Sequence, residues 1–151
     1  MCEATGTAVD AHELTVGGVF MKASPSWTFH DLNGMILGRP DSRVGNLQIT
    51  LAYRSTLGPG AGHAECRQVL AKFVSAEGPD TLADVVAEGS GDTLFGGGSV
   101  TDDRTWKRAW FRLTDTGLVL ALYQCHRDRL PEAGVELTEC EAIARSLTAV
   151  G

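Results

Sequence analysis

The stretch TWKRAWFRLTDTGLVLALYQC, residues 105–125, joins a run in which Trp and Arg take turns at every second position to a nearly unbroken apolar run. Successive side chains of a strand point to opposite faces, so Trp106, Arg108, Trp110 and Arg112 share one side while Lys107, Ala109, Phe111 and Leu113 share the other. Asp115, Thr116 and Gly117 then offer a three-residue turn before the apolar run from Leu118, and the two runs together predict a β-hairpin. A second alternating run, with Leu47, Ile49, Leu51 and Tyr53 on one face, predicts a half-buried strand over 46–54. Shorter strands are expected at 19–23, which Pro25 ends, and at 34–38, stopped by Pro40. Trp27 is expected in the turn after Pro25, folded back on the core.

The period changes beyond the loop of residues 57–62. Cys66, Val69, Leu70, Phe73 and Val74 recur at helical spacing and predict a helix with one buried stripe. Leu82, Val85 and Val86, with Asp80 as a cap and Gly89 as a stop, predict a second short helix over 81–88. Residues 91–100 read as a weak, glycine-interrupted strand. Past Pro131, a closing helix is expected over 135–150, with Cys140, Ile143, Ala144, Leu147 and Val150 on one face. Glu132, Glu136, Glu139 and Glu141 lie near its start, where acidic groups complement the helix dipole.

The order is three strands, one or two helices, three strands and a helix. It predicts an α/β fold of the α+β type, an antiparallel sheet of about six strands flanked by helices. Residues 1–13 are polar and lack an obvious core partner. They are expected to form a flexible N-terminal segment ahead of a single domain over 14–151.

Composition narrows the function classes. With 151 residues, 43% of them hydrophobic and 21% charged, one domain is long enough to bury roughly 70% of its unfolded surface. The formal net charge of −6 argues against a general nucleic-acid binder, because phosphate affinity is built from positive fields. The N-terminus has neither a basic region nor an apolar run of signal-peptide length, and no stretch is apolar for long enough to span a membrane. Cys2, Cys66, Cys125 and Cys140 lack CxxC spacing and are expected as free thiols in the cytoplasm.

Several constellations carry possible chemistry, each beside a plainer reading. Residues 58–62 (GPGAG) sit between a strand and a helix, where amide groups hold phosphate, but lack the GK[ST] of a P-loop and read as a connector; the run Gly96-Gly97-Gly98 has the same ambiguity. His63, Cys66, Cys125 and His126 can be written as four metal ligands, yet adjacent strand residues point apart, and no metal or cofactor is assigned. Ser24, Ser26, His30 and Asp31, or Cys125, His126 and Asp128, supply the residue types of a catalytic set without a recognised nucleophile signature, so no catalytic residue is assigned. The interleaved Trp106, Arg108, Trp110 and Arg112 have two readings: a protein-docking surface, since Trp and Arg dominate binding hot spots, or a sheet face covered by a helix. At least one Trp is expected to be buried.

A set of ordered motifs extends this reading: Ser26-Trp27, the strand Gly-Asn-Leu-Gln-Ile-Thr, residues 106–111 (WKRAWF), residues 120–125 (LALYQC), and a final helix ending Ala144-Arg145-Ser146-Leu147. Together they resemble the PsbP/Mog-type α/β/α sandwich proteins, including bacterial DcrB-like and EagR-like members, over roughly residues 14–147. The resemblance implies a non-catalytic bacterial binder of another protein, acting as immunity partner or chaperone to a secreted toxin or type VI secretion effector. No family binding residue can be placed on this chain by that likeness. The alternative is a small-molecule-binding protein or an enzyme with a His/Cys-containing site.

Overall fold

The computed structural model describes residues 12–52, 61–76, 78, 81–90, 93–115 and 117–150. In chain order these form β1 (His12–Val16), β2 (Val19–Ala23), β3 (Trp27–Asp31), β4 (Met35–Pro40) and β5 (Gly45–Ala52). Then come α1 (His63–Phe73), β6 (Ala83–Ser90), β7 (Thr93–Thr101), β8 (Thr105–Leu113), β9 (Leu118–His126), a 3₁₀ segment (Arg127–Glu132), α2 (Gly134–Ser146) and β10 (Thr148–Ala149).

The hairpin of the alternating stretch is β8 and β9, paired antiparallel from Thr105–His126 to Leu113–Leu118 and closed by the Thr114 amide donating to the Gly117 carbonyl at 2.9 Å. It lies at the heart of a seven-stranded sheet of order β3-β4-β5-β9-β8-β7-β6, in which every neighbouring pair is antiparallel. A smaller sheet has the order β1-β2-β10. β9, the central strand, is covered on both faces, which explains why LVLALY reads as an unbroken apolar run. Leu118, Leu120 and Leu122 join Ala109, Phe111 and Leu113 beneath Cys66, Leu70 and Val74 at α1. Val119, Ala121 and Tyr123 join Trp110, Leu47 and Ile49 beneath Cys140, Ile143, Ala144 and Leu147 at α2 and beside Val19 and Met21 of the small sheet. Helix, sheet and helix-plus-small-sheet form three layers.

The structure departs from the sequence expectations at four places. Residues 83–90 are strand, not helix: Asp84 adopts φ +50° and the register with β7 shifts between Ala83 and Val86, so a bulge disrupts the two-residue alternation and leaves Leu82, Val85 and Val86 mimicking a helical stripe. Trp27 does fold onto the core, at 3% exposure, but it opens a strand, β3, and does not sit in a turn. His12 and Glu13, expected in a flexible segment, pair with Ala23 and Lys22. The last helix ends at Ser146 and the chain turns into β10, which leaves Val150 exposed rather than on a helical face. Among the described residues the sheet has seven strands where about six were expected, with three more in the second sheet. Tyr53 and Arg54, the expected end of the third strand, lie outside the described residues, as do residues 1–11.

Candidate functional site

Four side chains of β8 point toward α2, and the helix covers them unequally. Trp110 is 1% exposed and Arg108 9%, whereas Trp106 and Arg112 are half-buried. The row is thus not a free ridge. The helix lies over its middle, and Trp106 remains at the rim. Beside that rim a cleft of about 200 Å³ opens between the sheet and α2. It is lined by Trp106, Arg108 and Trp110 of β8, Asp84 of β6, Ser99 of β7, and Leu137 and Glu141 one turn apart on α2. The structure brings three of the four β8 residues to this cleft. Arg112 is not among them; it lies farther along the strand, opposite Phe95 and Val119.

Arg108 is the chemical centre of the cleft. Its Nη1 donates to the Asp84 carbonyl at 2.7 Å and to Ser99 Oγ at 3.0 Å. The bulge at Asp84 aims that carbonyl inward, and the cation lies 6.0 Å from the centre of the Trp110 ring. Burial pushes the guanidinium pKa down, and the charges of Glu141 and Asp84 pull it back only in part. No carboxylate lies within ion-pair distance of Arg108 among the described residues. The Trp110 Nε1–H is buried and also lacks an acceptor.

One turn beyond Glu141 on the same face of α2, Arg145 ties the helix to the sheet edge through a two-pronged pair with Glu88, at 2.6 and 3.0 Å. Both groups are over 40% exposed, so solvent screens the pair and it adds little to stability. Burying each of Ile143 and Leu147 contributes about 1.5–3 kcal/mol, so apolar contact sets where the helix lies and hence the width of the cleft.

A second buried charge lies at the start of α2. Glu136, 1% exposed, accepts from Ser42 Oγ (2.5 Å), the Val44 amide (2.9 Å), the Gly45 amide (2.8 Å) and the Tyr123 hydroxyl (2.7 Å). Burial pushes its pKa up, but these four donors outweigh burial and hold the carboxyl below its usual range. Burial and the bond to Glu136 push the Tyr123 hydroxyl far above its usual range, so it stays a donor. This network locks the 42–45 turn to helix and sheet.

The other candidate sets do not assemble. Cys66 lies on the buried face of α1 and Cys125 in the core on the opposite face of the sheet. His63 Nε2 sits 3.2 Å from the Gly89 carbonyl, and His126 Nδ1 accepts from the Asp128 amide. Among the described residues, no three His, Cys, Asp or Glu side chains are grouped to hold a metal. Ser26 donates to Glu139, His30 is exposed on β3, and Asp31 accepts from the Gly34 amide. Burial pushes the thiols of Cys125 and Cys140 up, which suits structural cysteines.

The run Gly96-Gly97-Gly98 lies inside β7, with Gly96 and Gly97 paired on both sides and Gly98 paired with Ala109 opposite the β6 bulge, so it is part of the sheet and not a phosphate loop. Its glycines allow close packing. A Cβ at Gly96 would stand 2.5 Å from the Phe111 ring, and one at Gly97 would stand 2.4 Å from the Ala109 carbonyl. Residues 58–60 of the other glycine loop lie outside the described residues.

Sequence reasoning missed Asp84, Ser99, Leu137 and Glu141, because a helix was expected where β6 runs and because nothing local tells which strand faces which helix. It also placed Glu136 as a dipole partner only.

No protein-family model matches the chain, and no curated protein matches its sequence. Among solved structures, the chain is similar to cyanobacterial PsbP (CyanoP) from Synechocystis sp. PCC 6803. The TM-score is 0.61 at 14% identity, covering 99% of this chain and 97% of that one. A structure from Bacteroides thetaiotaomicron VPI-5482 aligns with TM-score 0.48 at 16% identity over 93% of this chain, which spans 48% of that one. The fold is PsbP-like. No helix among the described residues is long and apolar enough to cross a membrane.

Proposed function

We propose that the protein is a non-catalytic binding module that holds another protein stoichiometrically, docking it at the cleft between β8 and α2. One observation carries this reading: a half-buried Trp106 stands at the rim of a cleft whose floor is the buried Arg108. Trp and Arg are the side chains that dominate binding hot spots, and a rigid strand holds both without the entropy cost of ordering a loop. The cleft volume of about 200 Å³ suits one inserted side chain. On the resemblance to PsbP/Mog-type proteins, the partner is a secreted toxin or type VI secretion effector, and the protein is its immunity partner or chaperone in a bacterial cytoplasm. The test is co-purification from the native host, with the partner identified chemically and the ratio measured by light scattering. A fixed stoichiometry that is lost in Trp106→Ala supports the reading. Turnover of a small molecule, abolished by changing His30, His63 or His126, would overturn it.

A further inference from the structure

We infer that the cleft takes a carboxylate, an acidic side chain of the docked partner, on the open edge of the Arg108 guanidinium. The inference rests on the docking reading above and adds the chemistry of the guest.

Three charged groups line the cleft, and they do not make equal demands. Asp84 is exposed and keeps its water. Glu141 leans on Arg145, 3.8 Å away. Arg108 alone is nine-tenths removed from solvent, and its only acceptors among the described residues are neutral: a carbonyl and a hydroxyl, both on Nη1. A buried cation held by neutral oxygens is solvated in part only, and a carboxylate matches the two-pronged geometry of the remaining guanidinium N–H groups. Those remaining groups are donors only, and a carboxylate offers acceptors alone. Leu137 and the half-buried Trp106 supply apolar contact for the methylene stem of a glutamate. Asp84 and Glu141 oppose an anionic guest, which gives the inference a sign that can be measured.

The experiment uses the full chain, isotope-labelled, with the indole signal of Trp106 and the Nε–H signal of Arg108 followed by NMR. The probe is N-acetyl-glutamate methylamide, compared with the matching glutamine and lysine compounds. The glutamate compound is expected to shift both signals saturably and the other two are not. Arg108→Gln is expected to weaken that response roughly tenfold or more, the loss of a charge-assisted hydrogen bond. Asp84→Asn preserves the left-handed backbone, since Asn tolerates φ near +50°, and removes the opposing charge, so binding should tighten about two- to fivefold. This variant decides the matter even if Arg108→Gln fails to fold. An equal response to glutamine, a preference for lysine, or weaker binding in Asp84→Asn would overturn the inference. If the glutamate response is absent while Trp106→Ala still abolishes partner capture, the carboxylate assignment falls and the docking reading stands. If glutamate binds but capture ignores Trp106→Ala, the docking assignment falls, and with it the partner as source of the carboxylate.

Discussion

Glu136 and Arg108 are both buried between α2 and the sheet, and the protein treats them in opposite ways. Glu136 is surrounded by four donors from two separate segments, the 42–45 turn and β9, and their hydrogen bonds hold its pKa below the usual range despite burial. Arg108 keeps two neutral acceptors on one nitrogen and a lowered pKa, the mark of a cation that folding has left short of partners. The difference separates a charge that stabilises the fold from one that is available to a guest. A buried charge that is fully hydrogen-bonded and one that is not have opposite consequences when removed.

The largest effect expected is from Glu136→Ala, which strands the buried Tyr123 hydroxyl and takes the acceptor from the Val44 and Gly45 amides. It should lower unfolding free energy by about 3–5 kcal/mol in urea titrations. Its pH dependence follows from the direction of the shift. The folded pKa is depressed, so the stabilisation is complete above the ordinary carboxylate range and is lost as pH falls through the folded value. The stability gap between wild type and Glu136→Gln should therefore stay constant near neutrality and narrow below about pH 4. A gap that widens on acidification would break the assignment. Next in size is Tyr123→Phe, which removes a single donor to the carboxylate and should cost about 1–3 kcal/mol, with the acid transition moved upward in pH. The smallest effect is expected from Arg108→Met, within about 1 kcal/mol of wild type, because replacing an under-compensated buried cation by an apolar chain is nearly neutral. A loss of several kcal/mol there would make Arg108 structural and remove the contrast.

The legible parts of the chain were those where local pattern and tertiary environment agree. The β8–β9 hairpin could be read because two strand-length runs flank the turn residues Asp115, Thr116 and Gly117, and α1 because its apolar positions recur at helical period. β6 could not: the bulge at Asp84 falsifies the period on which strand reading depends, and the strand's exposed edge supplies no apolar face to correct it. β3 hid behind Pro25, and β10 has two residues, too few for any period. At the site, Trp106, Arg108 and Trp110 were singled out by composition alone. Their partition into rim, floor and wall was not visible, since it depends on where α2 crosses β8.

The sequence by itself determined the element types over most of the chain and the shared face of Trp106, Arg108, Trp110 and Arg112, because these follow from periodicity within one segment. Only the tertiary structure decided which charges are satisfied. Glu136 draws its donors from Ser42, Val44, Gly45 and Tyr123, and Arg108 its acceptors from Asp84 and Ser99. Nothing in the local sequence distinguishes a glutamate or arginine that will find such partners from one that will not. Desolvation and hydrogen bonding are properties of the packed neighbourhood, which is built from segments far apart in the chain.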